Sequence, residues 1–177
     1  MEGKLMATLI AYFSRTDENY VGGSIRELKV GNTARVAEMI QKLTGADMFW
    51  MEMAKPYART YNECINEAQK DQKADARPEL TSYPESIDGY ETIYLGYPNY
   101  WGTMPMAVFT FLEHFDFSGK TIRPFCTHEG SGLGSSVQDI RKTCPDANVE
   151  SGLAVHGSRI DASKGDVEDW IKSVQSK

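Results

Sequence analysis

Five apolar runs of strand length, Ala7 to Phe13, Asp47 to Met53, Thr92 to Tyr97, Thr121 to Cys126 and Val149 to His156, alternate with stretches of helical character. Parallel neighbours need a long crossover and bury both faces, so this alternation specifies a parallel sheet covered by helices on each side. Val36, Met39, Ile40 and Leu43 fall at i, i+3, i+4 and i+7, as do Val167, Trp170, Ile171 and Val174, which predicts two amphipathic helices. A third starts with Thr103 as N-cap and Pro105 in its first turn, burying Val108, Phe109, Leu112 and Phe115. A fourth runs from about Ser135 through Val137 and Ile140 to Cys144, where Pro145 stops it. The segment Thr60 to Ala74 is more polar, opens with a Thr60/Glu63 capping box and reads as an extra surface helix. The expected architecture is a doubly wound α/β sandwich of three layers, one domain over residues 1–177 with an inserted loop at about 17–30. Right-handed crossovers then place every strand-to-helix loop on one sheet edge, where ligands of such folds bind.

Composition narrows the class of function. The chain is 177 residues long and 41% hydrophobic, enough for a core without cross-links. Its three cysteines, Cys64, Cys126 and Cys144, contain no C-x-x-C and predict reduced thiols in a cytoplasmic protein. Leu5 to Phe13 is too short to span a bilayer and reads as a buried strand, so no membrane insertion is expected. A net charge of −6 argues against nucleic acid as partner, because backbone affinity depends on Lys and Arg. The same charge suits a basic redox partner protein.

Three loops carry the candidate chemistry. After the first strand come Ser14, Arg15 and Thr16, then the insertion, then Gly31, Asn32 and Thr33 at a helix start. Free backbone N–H groups there, surrounded by hydroxyl and amide side chains, would hold a phosphate dianion; Asn32 and Thr33 would serve equally as plain helix caps. The third-strand loop, Tyr97 to Pro105, reads YPNYWGTMP and sets Tyr100 and Trp101 between Pro98 and Gly102. Aromatic rings at a ligand edge suit stacking on a planar ring, with backbone groups around Asn99 and Gly102 reaching its edge; the alternative is that both rings fold back over neighbouring helices. The fourth-strand loop, Cys126 to Ser136, reads CTHEGSGLGSS, and its glycines let backbone N–H donors approach a heterocycle. Gly130, Gly132 and Gly134 match a dinucleotide fingerprint poorly, and Glu129 stands where a nucleophile elbow needs glycine. His114 and His156 lack metal-ligand spacing, so no metal is expected, while His128 could donate to a ligand or simply serve the turn.

In this order, the split S-R-T…G-N-T, the YPNYWGTMP loop and the THEGSG loop resemble the flavodoxin-like family of FMN-binding proteins over nearly the whole chain. The resemblance implies a sheet of order 2-1-3-4-5 and FMN as cofactor. It implies that Ser14, Arg15, Thr16, Asn32 and Thr33 surround the phosphate. Pro98, Asn99, Tyr100, Trp101, Gly102 and Thr103 would line the isoalloxazine, with Trp101 or Tyr100 stacked on it. Thr127, His128, Glu129, Gly130, Ser131 and Gly132 would approach the pyrimidine edge. A backbone carbonyl near Gly102 or Asn99 would accept a hydrogen bond from the reduced ring and tune its potentials.

Two departures from the family pattern stand out. The phosphate turn is interrupted by Asp17 to Val30, which reads as a hairpin or flap around Gly22-Gly23, either shaping access or inert. The fourth-strand loop has no aromatic residue to cover the second ring face, although Tyr20, Tyr57 or Tyr61 could reach it. An open face favours an NAD(P)H-dependent oxidoreductase acting on quinone-like or other small acceptors; the alternative is a one-electron carrier between redox proteins.

Overall fold

The computed structural model describes residues 7–173; Leu5 and Val174, named above, lie outside them. Along the chain run β1 (Ala7–Phe13), β2 (Glu18–Val21), β3 (Ser24–Glu27), α1 (Asn32–Thr44), β4 (Asp47–Met51), α2 (Tyr61–Lys73), β5 (Tyr90–Pro98) and α3 (Met106–His114). They are followed by β6 (Thr121–His128), α4 (Ser136–Thr143), β7 (Asn148–Val149), β8 (Leu153–His156), a 3-10 turn at Gly157–Ala162 and α5 (Lys164–Ser173). The main sheet is parallel in the order β4-β1-β5-β6-β7, with β8 also paired to β6. Counted by its own strands, that is the expected 2-1-3-4-5. The chain leaves β1 for β4 on one side and returns to β5 on the other, so the topological switch lies between β1 and β5.

The two-residue period of the strands sorts the core. Leu9, Ala11 and Phe13 of β1 join Ile93, Leu95 and Tyr97 of β5 on the face covered by α3 and α4. Ile10 joins Tyr94, Phe125 and Val155 on the opposite face, under α1 and α5. Fully burying each such side chain contributes about 1.5–3 kcal/mol.

The structure corrects the sequence reading in three places. The fifth strand is not continuous from Val149 to His156 but breaks into β7 and β8. At the break Glu150 turns its carboxylate onto Arg123 Nε at 2.8 Å. Arg123 sits within β6, 2% exposed, stacked on Tyr94 and Trp170 and donating to the Trp170 and Ile171 carbonyls at the end of α5. A buried guanidinium is sustainable only with such partners, and a cation also suits the negative end of a helix. Thr103 is not a helix cap: Pro105 takes that position, α3 begins at Met106, and the Thr103 hydroxyl donates to Asp139 at 2.5 Å. The Thr60/Glu63 box does not close on the backbone, because the Thr60 hydroxyl binds the Glu63 carboxylate at 2.7 Å. The first amide of α2, on Tyr61, is instead held by Glu18 of β2 at 2.7 Å.

Cys64, Cys126 and Cys144 are free and buried, and burial pushes the thiols of Cys126 to about 12 and Cys144 to about 11. Among the described residues, no helix is long and apolar enough to cross a membrane, and no cluster of three His, Cys, Asp or Glu is placed to hold a metal ion.

Candidate functional site

The insertion leaves the first turn intact. Leu28, just past β3, donates its amide to the Thr16 carbonyl at 2.9 Å, so the hairpin returns the chain to where it left. Gly31 then packs against the strand end so tightly that a Cβ there would lie 2.5 Å from the Arg15 carbonyl oxygen and closer still to Ser14 Oγ. Its φ of −68° suits any residue, so the absence of a side chain is what counts.

Ser14 Oγ accepts the Ala34 amide at 3.1 Å, capping α1 from another element. The amides of Asn32 and Thr33 find no acceptor among the described residues, and Thr33 Oγ1 meets Thr127 Oγ1 at 2.7 Å. Neither the Asn32 nor the Thr33 side chain caps the helix. The result is a helix N-terminus with free donors and two hydroxyls, suited to an anion without a lysine. The Arg15 guanidinium does not point there; it donates to the carbonyls of Glu18, Ala58 and Arg59 at 2.8–2.9 Å and staples the hairpin base to the segment before α2.

In the third-strand loop, Tyr100 and Thr103 close a turn whose central residues, Trp101 and Gly102, have φ of 54° and 88°. A left-handed tryptophan is uncommon and stores strain that the surroundings must offset. Trp101 is 46% exposed at the rim, with its indole N–H on the Ile65 carbonyl of α2 at 2.9 Å. Tyr100 turns inward: its ring meets Phe13 edge-on at 5.9 Å, and its hydroxyl is buried without a hydrogen-bond partner among the described residues. Burial holds that hydroxyl well above the ordinary tyrosine range. Asn99 ties the loops together, donating to the Gly132 carbonyl at 2.9 Å and accepting the Gly102 amide at 3.0 Å. The Gly102 carbonyl accepts from Ser135 at 2.8 Å and the Trp101 carbonyl from Gln72 at 3.2 Å. The Gly102 carbonyl is thus partly engaged within the protein, whereas no donor to the Asn99 carbonyl is found among the described residues.

In the fourth-strand loop, His128 Nδ1 accepts the Gly130 amide at 2.8 Å, which leaves the ring proton of the neutral form on Nε2. Burial, then neighbouring His156, keeps the His128 pKa below its ordinary value. Glu129 is a latch: Oε1 accepts the amide of Gly22, at the hairpin tip, at 2.9 Å, while Oε2 is buried 3.8 Å from His156 Nδ1.

These loops enclose one cavity of about 440 Å³ at the switch point. Of the residues expected there, Arg15, Asn32, Thr33, Pro98, Asn99, Tyr100, Trp101, Gly102, Thr127, His128, Glu129 and Ser131 line it. Ser14, Thr16, Thr103, Gly130 and Gly132 do not line it. Sequence reasoning missed a further wall: Glu18, Asn19 and Tyr20 from the hairpin, and Tyr61, Cys64, Ile65 and Ala68 from α2. The signal was present, because 61, 64, 65 and 68 fall at i, i+3, i+4 and i+7 within a helix whose average is polar. Of the tyrosines within reach, Tyr20 and Tyr61 line the cavity, whereas Tyr57 donates to Asp71 at 2.6 Å.

A doubly wound sheet with an anion-binding helix end and an aromatic cavity at its switch point defines a class of nucleotide-binding proteins. A family model described as Flavodoxin matches residues 27–174, and the chain belongs to that family. The match begins at the return strand of the hairpin, after β1. Among solved structures, a candidate flavoprotein from Bacteroides eggerthii DSM 20697 is 28% identical, with 97% of this chain and 99% of that one covered and a TM-score of 0.78. Another from Bacteroides uniformis ATCC 8492 is also 28% identical, covering 96% and 99% with a TM-score of 0.76. A flavoprotein in complex with FMN from Lactobacillus acidophilus NCFM shares the fold at 18% identity, 94% and 99% coverage and a TM-score of 0.66. No curated protein matches the sequence.

Proposed function

We propose that this protein binds FMN and acts as an NAD(P)H-dependent oxidoreductase on quinone-like or other small acceptors. The observation that carries the reading is the continuous cavity from the free amides of α1 to Trp101, which matches a phosphate joined to a planar ring. Membership of the flavodoxin family and the FMN-bound Lactobacillus structure support the same cofactor.

The residues present suit that group. The Asn32 and Thr33 amides with the Ser14 and Thr33 hydroxyls would hold the phosphate. Trp101 and the Tyr100 ring would flank the isoalloxazine, and His128 Nε2–H would donate to an oxygen or nitrogen at its edge. When bound, the flavin supplies hydride and electron transfer, and the protein supplies orientation and exclusion of water. Two-electron turnover is favoured because the fourth-strand loop places only His128, Glu129 and Ser131 beside Thr127 in the cavity, with no aromatic cover from that side. The net charge of −6 favours a second reading, a one-electron carrier docking to a basic partner protein. Three buried, unpaired cysteines are consistent with work in the reducing cytoplasm.

The test is to purify the protein, record its visible spectrum with FMN, then add NADH or NADPH without oxygen. Rapid bleaching of bound flavin supports the oxidoreductase, flavin bound but inert to nicotinamide supports the carrier, and a protein that takes up no FMN refutes both.

A further inference from the structure

We propose that the wall built by the hairpin and α2 is a slot for an uncharged, planar aromatic molecule, and that Ala68 sets its width. The proposal rests on the FMN reading above and adds where, and for what chemistry, a second ring is received.

The loops after β1, β5 and β6 already account for the phosphate end and the edges of the cofactor ring. The remaining wall comes from two elements that none of those motifs requires, and the two are fastened to each other. Glu18 of β2 accepts the Tyr61 amide, and the Tyr20 and Tyr61 rings lie 6.1 Å apart at 34°. Trp101 is fixed over the same helix through Ile65, leaving three aromatic residues around the mouth.

The charges on this wall are already used. Arg15, the cation lining the cavity among the described residues, is occupied by three carbonyls. The Glu18 carboxylate holds the end of α2, and Glu129 Oε1 holds Gly22. What lines the cavity here is ring surface, Ile65, Ala68, Asn19 with its amide N–H already given to the Arg15 and Asp17 carbonyls, and Cys64, whose thiol burial pushes toward its neutral form. An anion gains nothing from such a surface, whereas a neutral ring loses little hydration and stacks on it. Ala68, 5% exposed and one turn beyond Cys64, is the smallest side chain on the α2 face of the slot, so a larger residue there narrows it, at a modest loss of helix propensity for phenylalanine.

The experiment is calorimetric titration of the FMN-loaded, oxidised protein with 2-methyl-1,4-naphthoquinone and no reductant, so that binding is read without turnover. Saturable binding is expected, weakened at least about tenfold in both Ala68→Phe and Tyr61→Ala, with FMN affinity held within about twofold in each. FMN uptake without quinone binding overturns the slot alone, as does unchanged quinone affinity in Ala68→Phe. A parallel loss of FMN affinity in both variants also overturns it, since the wall then belongs to the cofactor. A wild-type protein that takes up no FMN overturns the cofactor reading and the slot with it.

Discussion

Replacing Gly31 by alanine puts a methyl group 2.5 Å from the Arg15 carbonyl oxygen, and nearer still to Ser14 Oγ. An ordinary contact is about 3.5 Å, so the Arg15 peptide has to retreat by roughly 1 Å. Ser14 can rotate, but the Arg15 carbonyl is backbone at the end of β1 and moves only with the strand. Overpacking of this kind costs about 1–3 kcal/mol, which in a chain of this size lowers Tm by about 2–12 °C. The same retreat separates the two halves of the phosphate turn, and losing one hydrogen bond to a charged group costs a further 1.5–3 kcal/mol or so, weakening FMN roughly 10- to 150-fold. Flavin fluorescence quenching reads the affinity and circular dichroism the melting temperature. Gly165→Ala is the control, because nothing lies within 4 Å of its Cβ position. If Gly31→Ala binds FMN within about twofold of wild type and melts with it, the steric argument for the closed turn is wrong.

Arg123→Ala should lose about 3–5 kcal/mol in urea unfolding, because it strands Glu150 and the last carbonyls of α5, whereas Arg123→Met should lose less. Glu129→Ala frees the amide of Gly22, so hydrogen exchange at the hairpin tip should accelerate several-fold; Glu129→Gln, which keeps an acceptor, should stay near wild type. His128 is held below its ordinary pKa in the fold, so the unfolded chain takes up its proton first as pH falls. Its contribution is therefore present above about pH 6.5 and is lost on acidification through the lower folded value. Melting curves from neutral to mildly acidic pH should show wild type losing ground to His128→Gln, and parallel curves would contradict the assignment.

How legible the fold was depended on whether each feature is local. The alternation of apolar runs survives any reading of the chain, because the central strands β1, β5 and β6 bury both faces and say so in their own residues. The break at Glu150 does not, since its cause is an arginine 27 positions earlier in β6. The phosphate turn was readable in two pieces, each with its own motif, but the Arg15 guanidinium was assigned by proximity in sequence and turned out to serve carbonyls of the hairpin and of residues 58–59. Tyr100 and Trp101 look alike in the sequence. The left-handed backbone of Trp101 itself separates their fates, sending the Tyr100 ring inward and the indole to the rim. The α2 wall was hidden by averaging, for nine polar residues outvote the stripe that faces the cavity.

The return of Gly31 to Ser14 makes the proposed phosphate turn a property of two element ends, not of a continuous peptide. A chain arranged this way can lengthen, shorten or rewrite everything between Thr16 and Gly31 while the anchor stays put. What approaches the cavity can thus be altered independently of what is held in it, by rewriting the hairpin alone.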